Sequence, residues 1–578
     1  MAITDFGKEI LLRGTPYVQG EASGKLVASD LELSFWGGVN PRTSEIIDRH
    51  HPLSGHHLEG SILAIPGGRG SCTGSTVMLE LLLCDKAPKA LVFERREDIL
   101  TLGVIVAEEI FGKAIPVVAL DPKAFRELIK SNGRLVYVAD GQVSTKPLLD
   151  VATKLSPGTR ENEPTLSVND MNLTELDKTL LKGAYGDASR AAMRIVLRLA
   201  SILGATELMD VTQVHVDGCV YTGPGSLAFA ENLRDRGGKS KASVKSLALQ
   251  PASWRMPTLI WGARPTFTCA PYQLDTAPKL GDQVAWAESN AVVYANSVLG
   301  ARTMKYPDFL DISIALTGRA PKAGPHVQIN RLASVIVKAP KIEKANVDDS
   351  FYPLLGYQVG NLATSQIPVV VGLEPLNPTL DDLKAFGAAF ATVSSAPMFH
   401  MVGVTPEAPT LEAALSKGPD VRCVDVHMGD MMECWDSLNS ASNQQPIDLV
   451  SLGNPHFSLA EITKLASLCR GRLKDKNVAV MVTCSRVTYA SACKTGLTDE
   501  LEAFGVQFIT DTCWCMITEP TIPESQNAIM TNSGKYAHYG PGLTGKSFYF
   551  GSLARCVEAA CGGDYVGRRP QWFESELQ

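Results

Sequence analysis

The sequence lacks several features that would assign it quickly to a protein class. No segment has about 18 consecutive uncharged apolar residues, which excludes a typical transmembrane helix. The first residues, Met1 to Lys8, do not have the basic and then apolar order of a signal peptide. Internal repeats and low-complexity tracts are absent. We therefore expect a cytoplasmic protein rather than a membrane, secreted or fibrous one.

Cysteine pairs at metal-binding spacing are also missing. The chain has 13 cysteines, but none forms a Cys-x-x-Cys motif, and the two nearest in sequence are Cys513 and Cys515. This excludes a local zinc or ferredoxin motif. In a cytoplasmic chain, an odd number of cysteines fits free thiols, or metal ligands from distant segments, better than a disulfide framework.

A strong charge of either sign is absent. The chain has 54 Lys and Arg against 61 Asp and Glu, a formal net charge of −7. This balance argues against a basic nucleic-acid-binding surface, so we expect neither nucleic acid nor a membrane as partner. The 578 residues are 45% apolar and 20% charged, as in globular proteins. At about 150 residues per domain, this length predicts two to four domains.

Short apolar runs alternate with turn residues over residues 1–139. The runs are rich in aliphatic and β-branched side chains, as strands are, and helix-like stretches lie between them at Ser75–Cys84 and Thr101–Phe111. This pattern predicts a small mixed α/β domain. The strand-like runs are 24–28, 61–66, 90–94, 114–120 and 133–139.

A polar, breaker-rich segment at 140–166 predicts a linker, and a larger second unit follows over 167–578. Its helical patterns, such as Ala188–Leu203, alternate with strand-like runs. Such alternation favours parallel sheets covered by helices, so the fold class is α/β. The strand-like runs of this unit are 205–216, 367–372, 446–452, 478–483 and 506–510.

The first candidate site is the glycine-rich segment Pro66-Gly-Gly-Arg-Gly-Ser-Cys-Thr-Gly-Ser75, between a predicted strand and a predicted helix. Glycine lets a ligand approach the backbone closely, and a helix N-terminus attracts anions. The segment matches neither a P-loop nor Gly-x-Gly-x-x-Gly. An ordinary strand-to-helix turn capped by Ser71 or Ser75 is an equally good interpretation.

Three cysteines stand in suggestive places. Cys269 lies just before a proline in Thr268-Cys-Ala-Pro-Tyr272, Cys513 follows a predicted strand, and Cys556 lies in a helix-like stretch. Ligands in α/β folds collect where strands end. A cysteine is nevertheless often a small buried apolar side chain, and the sequence alone does not decide between the two roles.

Polar residues inside apolar surroundings give further candidates. Trp286–Asn296 carries Glu-Ser-Asn in an apolar helical pattern, which predicts either a cap or a polar pocket. In Met530–Tyr539, Lys535 could hold a carboxylate or lie in a solvated loop. His215 ends a predicted strand, where a structural role is at least as plausible as ligand binding.

Together these segments resemble aconitase X, a branch of the aconitase superfamily. The resemblance covers nearly the whole chain and implies a small swivelling α/β domain followed by a large, multi-sheet, cluster-binding domain. Several separate motifs in the right order carry it. They are Ser34–Pro41, His50–Leu53 and Pro66–Ser75 in the first unit, and Gly183–Gly186, Thr268–Tyr272, Trp286–Asn290, Tyr294–Arg302, Asp511–Cys513 and Thr531–Lys535 in the second.

The resemblance also implies an activity. Family members with both domains in one chain dehydrate cis-3-hydroxy-L-proline, a small-molecule substrate, to an enamine that becomes Δ1-pyrroline-2-carboxylate. This chain has that fused order, so we expect a monomeric hydro-lyase of this kind. The implied proton acceptor is Ser71, and we add hypothetical substrate contacts. These are Asn40, Arg69, Thr73, His215, Ser289, Asn290 and Lys535.

An iron–sulfur cluster held by three cysteines is implied as well, [2Fe–2S] rather than [4Fe–4S]. The cysteines in family-like motifs are Cys269, Cys513 and Cys556, with Cys515 and Cys484 as substitutes for the last. An iron atom with an open coordination position could act as a Lewis acid on hydroxyl and carboxylate oxygens.

Two other functions stay open. One is a dehydratase or isomerase for another small hydroxy acid, such as mevalonate 5-phosphate. The segment Ser243–Trp254 differs from the Thr-Thr-Leu-Asn-like segment expected in the two-chain forms that take this phosphorylated substrate, which disfavours it. The other is a non-catalytic iron-sensing protein that binds RNA or protein, and the net negative charge argues against RNA.

Overall fold

Four sheet-forming regions follow one another along the part of the chain that is described. A computed structural model describes residues 9–148, 170–217, 223–239, 245–248, 263–415, 421–441, 445–523, 525–562 and 569–576. The predicted linker beyond residue 148 and the side chains of Ser243–Trp254 lie outside these residues. None of the described helices combines the length and the apolar character needed to cross a bilayer.

The N-terminal region is built on an eight-stranded sheet in the order β1-β8-β7-β3-β4-β5-β6-β2. The pairs β3–β4, β4–β5 and β5–β6 are parallel. Only Gly14 separates β1 from β2, yet they lie at opposite ends of the order, so the sheet curves back on itself. The strands are β1 (Leu11–Arg13), β2 (Thr15–Val18), β3 (Glu21–Ala28), β4 (Ile62–Ile65), β5 (Ala90–Phe93), β6 (Val117–Ala119), β7 (Leu135–Ala139) and β8 (Gln142–Ser144).

The strand β8 falls inside the segment predicted as linker. It pairs with both β1 and β7, so the sheet extends past residue 139. A strand of three residues is too short to show a clear alternation of apolar and polar side chains. The helices of this region are α1 (Gly74–Leu83), α2 (Ile99–Phe111) and α3 (Pro122–Ile129).

The helices α1 and α2 approach each other closely at Gly103. A Cβ atom on this glycine would lie 2.6 Å from the backbone oxygen of Ser75 and 2.9 Å from the Cβ of Met78. No side chain fits without moving the start of α1. The glycine therefore fixes the position of the helix that follows the glycine-rich segment.

The second region contains a four-stranded parallel sheet in the order β12-β11-β10-β13 and a separate antiparallel pair, β9 and β14. Its strands are β9 (Leu208–Asp210), β10 (Gln213–Val216), β11 (Lys245–Ala248), β12 (Arg264–Pro265), β13 (Val284–Trp286) and β14 (Arg319–Pro321). Its helices are α4 (Glu175–Leu181), α5 (Asp187–Ile202), α6 (Pro224–Asp235), α7 (Ser289–Tyr294) and α8 (Leu310–Thr317).

The third region repeats the parallel design with the sheet order β17-β16-β15-β18. Its strands are β15 (Val335–Lys338), β16 (Pro368–Val371), β17 (His400–Met401) and β18 (Arg422–Asp425). Its helices are α9 (Phe351–Ala363), α10 (Leu380–Val393), α11 (Leu411–Ala414) and α12 (Met428–Leu438).

The fourth region has a five-stranded parallel sheet in the order β21-β20-β19-β22-β23. Its strands are β19 (Ile447–Leu452), β20 (Ala479–Cys484), β21 (Val506–Thr510), β22 (Ala528–Thr531) and β23 (Ser547–Phe550). Its helices are α13 (Leu459–Cys469), α14 (Arg486–Lys494), α15 (Leu497–Phe504), α16 (Gly534–Thr544) and α17 (Leu553–Ala560). The predicted α/β class, a small mixed domain before a larger multi-sheet part, is confirmed.

The N-terminal region shares its core with the second region. One continuous group of buried apolar side chains runs from the α1 and α2 helices into α5 and α8. Next to it, the buried carboxylate of Glu80 in α1 accepts a hydrogen bond of 2.6 Å from the amide of Gly225 in the first turn of α6. A carboxylate there also interacts favourably with the helix dipole.

We predict that Gly103→Ala lowers the free energy of unfolding by about 1–3 kcal/mol, because the added methyl group collides with the start of α1. Urea unfolding followed by circular dichroism measures this. Gly429→Ala is the matched control, since this helical glycine has nothing within 4 Å of its added Cβ. An unchanged midpoint for Gly103→Ala would contradict the packing argument.

Candidate active site

The glycine-rich segment forms the connection between β4 and α1, as the sequence predicts. Gly70 has φ +78°, and a Cβ on it would lie 2.5 Å from the hydroxyl oxygen of Tyr539 and 3.0 Å from the carbonyl oxygen of Thr392. Both neighbours belong to the large part of the chain. Only glycine permits this conformation and this approach together.

Ser71 follows immediately and is buried against the start of α1. Its hydroxyl donates a hydrogen bond to Oγ1 of Thr73 at 3.1 Å, and the amide of Thr73 donates one to the Ser71 Oγ at 3.3 Å. The backbone carbonyl of Ser71 accepts from the amide of Gly74. Backbone N–H and helix dipole therefore both favour negative charge on the Ser71 oxygen.

Three cysteine thiols from two distant segments come together. Cys269 lies before the short helical turn Pro271–Gln273, while Cys513 and Cys515 follow β21. They are 1%, 7% and 8% exposed. The interaction with the Cys269 thiol raises the pKa of Cys513 well above its ordinary value, and that with Cys513 does the same for Cys515.

Polar groups surround these thiols. The side-chain amide of Asn454 donates to the Cys515 sulfur at 3.3 Å, and its oxygen accepts from the Cys513 sulfur at 3.7 Å. The backbone amide of His456 donates to the Cys269 sulfur at 3.4 Å. Hydrogen bonds of this kind stabilise thiolates and tune the metals that they bind.

The other two candidate cysteines lie elsewhere. Cys556 is on the buried face of α17 and Cys484 ends β20, and both belong to the apolar core of the fourth region. The structure therefore does not bring Cys556 to Cys269 and Cys513; Cys515 lies beside them instead. The α17 segment is amphipathic, so its cysteine packs against the sheet as a small apolar residue.

The three thiols fit an iron–sulfur cluster better than a single metal ion. Within the described residues, no group of three or more His, Cys, Asp or Glu is arranged to hold one metal ion. In a cluster the thiolates are distributed over more than one iron atom, so the sulfurs need not all converge on one point. Cys269, Cys513 and Cys515 supply three soft, buried donors with hydrogen-bonding neighbours, as a cluster requires.

A buried ion pair lies beside the thiols. The ammonium group of Lys535, in the first turn of α16, contacts the Glu288 carboxylate at 2.6 Å, and both side chains are less than a tenth exposed. Burial alone would lower the pKa of Lys535, but Glu288 and the three thiols raise it well above its ordinary value. Lys535 therefore keeps its positive charge next to the sulfurs.

Glu288 lies at a helix end rather than inside a helix as the sequence suggested. The chain leaves β13 at Trp286, and α7 begins at Ser289, so Glu288 is its N-cap. Although burial acts to raise the pKa of Glu288, Lys535 and the side chain of Asn290 hold it below its ordinary value. Of the two interpretations of this cluster, a cap or a polar pocket, the structure shows the cap, with the Glu288 side chain accepting from the amide of Asn290.

Asn290 ties this carboxylate to the cysteine segment. Its amide nitrogen donates to Glu288 at 2.6 Å and to the backbone carbonyl of Cys269 at 3.1 Å, and its oxygen accepts from the Tyr272 hydroxyl. Ser289 is buried beside it. His215 lies behind the same segment, with Nε2 bonded to the Thr268 carbonyl at 3.0 Å. Burial lowers its pKa to about 4, so it stays neutral.

Two predicted substrate contacts lie at the edge of this group. The guanidinium of Arg69 contacts the Asp48 carboxylate at 3.2 Å and is only partly exposed. Asn40 uses its side-chain oxygen to accept from the amides of Arg42 and Thr43, as in a local turn. Among the described contacts, none joins Asn40 to the serine or the thiols.

The sequence analysis missed two buried carboxylates near Ser71. Asp217 directly follows β10, a strand end where ligand-binding residues collect, and that signal could have indicated it. Asp308 lies before α8 in a segment without a recognisable motif. Burial, followed by neighbouring acids, raises the pKa of both well above the ordinary range.

The site therefore brings together three kinds of buried group. Ser71 supplies a hydroxyl at the start of α1, Lys535 supplies a positive charge, and Cys269, Cys513 and Cys515 supply three thiols. The site has two halves, the thiols on one side and Ser71 with its neighbouring acids on the other. Glu288 acts on both, because it pairs with Lys535 beside the thiols and also raises the pKa of Asp217 and Asp308. This combination suits an elimination from a carboxylic acid.

We predict that Lys535→Met lowers the free energy of unfolding by about 3–5 kcal/mol, because it leaves the Glu288 carboxylate buried without its partner. Adding Glu288→Gln to this variant is expected to recover much of the loss, since no charge then remains unpaired. Urea unfolding of the two single variants and the double variant measures this coupling. Additive single effects would contradict it.

Comparisons with known proteins place the whole chain in one family. Four family models match in order: aconitase X swivel domain (residues 11–145), first domain (170–259 and 258–329), second domain (333–436) and third domain (447–562). Each description corresponds to one of the four sheet-forming regions.

Named relatives agree with this assignment. A cis-3-hydroxy-L-proline dehydratase of Hypocrea jecorina is 59% identical and covers 97% of each chain. One from Pseudomonas aeruginosa is 46% identical over 97% of this chain and 98% of the relative. Both relatives are dehydratases, which are hydro-lyases.

A solved structure supports the same fold. The crystal structure of holo-form aconitase X of Thermococcus kodakaraensis has a TM-score of 0.61 and 30% identity, and it matches 68% of this chain and 100% of its own. Family models, relatives and solved structure agree that this chain belongs to the aconitase X family.

Proposed function

We propose that this hydro-lyase dehydrates cis-3-hydroxy-L-proline, with Ser71 as proton acceptor and an iron–sulfur cluster on Cys269, Cys513 and Cys515. The observation that carries the substrate is the 59% identity, over nearly the full length of both chains, to the relative named for this activity. The enclosed group of serine, lysine and thiols described above supports the roles of the residues.

The proton transfer depends on Ser71. The Cα–H bond of the substrate breaks as its proton passes to the Ser71 oxygen, and the electron pair forms a carbon–carbon double bond while the 3-hydroxyl leaves. A serine is a weak base unless its surroundings favour its anion. The amide of Thr73 and the start of α1 provide such surroundings. The resulting enamine becomes Δ1-pyrroline-2-carboxylate.

The family implies an iron–sulfur cluster, and the three buried thiols would hold it. When bound, such a cluster supplies an iron Lewis acid that assists the departure of hydroxide. Asn454 and His456 would orient the thiolates through their hydrogen bonds to sulfur. Lys535 would offset part of the negative charge of the three thiolates.

The substrate carboxylate needs a cation, and the structure offers two. Lys535 is held in place by Glu288 next to the thiols. Arg69 belongs to the glycine-rich segment, and its Nε is buried without a hydrogen bond among the described residues. A carboxylate bound between them would bring the Cα–H bond close to Ser71, two positions from Arg69 in the chain.

We predict that Ser71→Ala lowers kcat for cis-3-hydroxy-L-proline at least 100-fold while iron content and thermal stability stay unchanged, because only the proton acceptor is lost. Turnover of anaerobically purified protein measures this. Ser131→Ala is the matched control, since Ser131 is also 5% exposed and lies in the same domain. Full activity of Ser71→Ala would show that Ser71 is not the proton acceptor. If the unaltered protein turned over mevalonate 5-phosphate instead of cis-3-hydroxy-L-proline, the proposed substrate would be wrong.

We also predict that Cys515→Ala loses most of the bound iron and sulfide, whereas Cys556→Ala keeps both. Cys515 lies with the other two thiols, while Cys556 packs in an apolar core. Iron and sulfide analysis with absorption spectra of the two purified variants measures this difference. Loss of iron in Cys556→Ala with full retention in Cys515→Ala would reverse the assignment.

A further inference from the structure

Two carboxylates beside the serine are buried without a partner. Asp217 and Asp308 are both 0% exposed, and none of their four carboxylate oxygens accepts a hydrogen bond of ordinary geometry from the described residues. A buried carboxylate without donors is costly, and such groups are normally paired. Glu288 does not share this property, because Lys535 pairs with it.

Asp308 is fixed directly onto the serine segment. Its amide donates to the carbonyl of Cys72 at 3.3 Å, and its carbonyl accepts from the Ser75 hydroxyl at 3.2 Å. Its carboxylate lies near enough to the Thr73 hydroxyl for that hydroxyl to lower its pKa, against the larger effect of burial. The Thr73 hydroxyl in turn accepts from Ser71.

Asp217 approaches the same place from the end of β10. Its amide donates to the Asp311 carboxylate at 2.6 Å, and this hydrogen bond fixes the backbone of Asp217 next to α8. Burial raises the pKa of Asp217 well above its ordinary range, and the charges of Glu288 and Asp308 add to this effect. Lys535 acts in the opposite direction on Asp217, as the Thr73 hydroxyl does on Asp308, but neither carboxylate forms an ion pair among the described residues, and both lie near Cys72, the residue after Ser71.

The chemistry of the proposed substrate supplies the missing partner. The ring nitrogen of a proline is bonded to the same carbon that loses its proton, at about 1.5 Å. A base that reaches this proton at about 3–3.5 Å therefore brings the nitrogen close to its own neighbours. The nitrogen is a secondary ammonium with one positive charge and two N–H donors.

We propose that Asp217 and Asp308 bind the ring ammonium of the substrate and so select an amino acid over a hydroxy acid without nitrogen. This inference rests on the proposed function. Binding of the cation pairs both carboxylates and offers each a donor. Burial favours the protonated forms of both acids before the substrate binds, whereas the bound cation favours their ionised forms and offsets the negative charge that these forms place beside Ser71.

Another role fits part of this geometry. Asp308 could receive the Ser71 proton through the Thr73 hydroxyl and leave the substrate nitrogen unbound. That role does not involve Asp217, which makes no described contact with Thr73. Because both carboxylates lack partners, a ligand with two donors accounts for more of the observations.

Ligand binding separates the two roles without relying on turnover. L-Proline carries the ring nitrogen and the carboxylate but has no 3-hydroxyl to lose, while tetrahydrofuran-2-carboxylate has oxygen in place of nitrogen. We expect the iron-loaded protein to bind L-proline at least tenfold more tightly than the oxygen analogue in calorimetry. A preference below threefold in the unaltered protein overturns the proposal without any variant.

The variants test the residues. Asp308→Asn and Asp217→Asn are each expected to weaken L-proline binding at least tenfold and to leave the oxygen analogue unchanged. Thr73→Val keeps both carboxylates, so it is expected to weaken L-proline binding less than either aspartate variant. If L-proline binds Asp308→Asn and Asp217→Asn as it binds the unaltered protein, the ammonium role is wrong. A low kcat in both Asp308→Asn and Thr73→Val would then identify the proton relay.

Failure of the proposed function is distinguishable from failure of this inference. If the unaltered protein does not turn over cis-3-hydroxy-L-proline, the proposed function falls and this inference falls with it. If the protein turns the substrate over but both aspartate variants bind L-proline normally, only the inference falls. Iron content and circular dichroism of each variant establish that it is folded.

Discussion

The buried contact between Glu288 and Lys535 is the interaction on which the rest of the site depends. It joins the start of α7 in the second region to the start of α16 in the fourth, so it fixes two sheets relative to each other. The attraction between the two charges offsets the free-energy cost of burying each of them. Without the carboxylate the ammonium would lose the largest of the interactions that raise its pKa, and without the ammonium the acids near Ser71 would gain another unpaired neighbour.

Charge compensation of this kind explains how the two halves of the site differ. The thiols have positive charge and N–H donors around them, which suits groups that become anionic when they bind metal. The space next to Ser71 instead has an excess of carboxylates, although the buried ammonium of Lys305 lies near Cys72. Lys305 is held by the carbonyls of Ala391 and Ser394, so it is not free to pair with the aspartates. The surroundings of the thiols therefore favour anionic groups, whereas those of the aspartates favour a cation.

Local patterns in the sequence predicted what local physics determines. The strand-to-helix connection that carries Ser71 and the strand end before Cys513 both follow from apolar periodicity and turn residues. No local pattern indicates the grouping of Cys515 with Cys269, or the position of Asp308 on the serine segment, because tertiary packing alone creates these contacts. The same reason explains why Cys556 was a candidate ligand although it packs in the apolar core. A helix face that packs against a sheet and a helix face that lines a site have the same apolar periodicity.

The division of the interface explains how such a buried site can still receive a substrate. The α1 and α2 helices share a continuous apolar core with α5 and α8, and the ion pairs Arg194–Glu109 and Arg198–Glu108 join α2 to α5 beside it. At the serine segment, by contrast, the contacts are a few hydrogen bonds, from Asp308 to Cys72 and from Ser75 to Asp308. Hydrogen bonds exchanged for water cost little net free energy, whereas exposing a large apolar surface costs much. We therefore expect substrate entry to require less free energy at the serine segment than at the apolar core between α1, α2, α5 and α8.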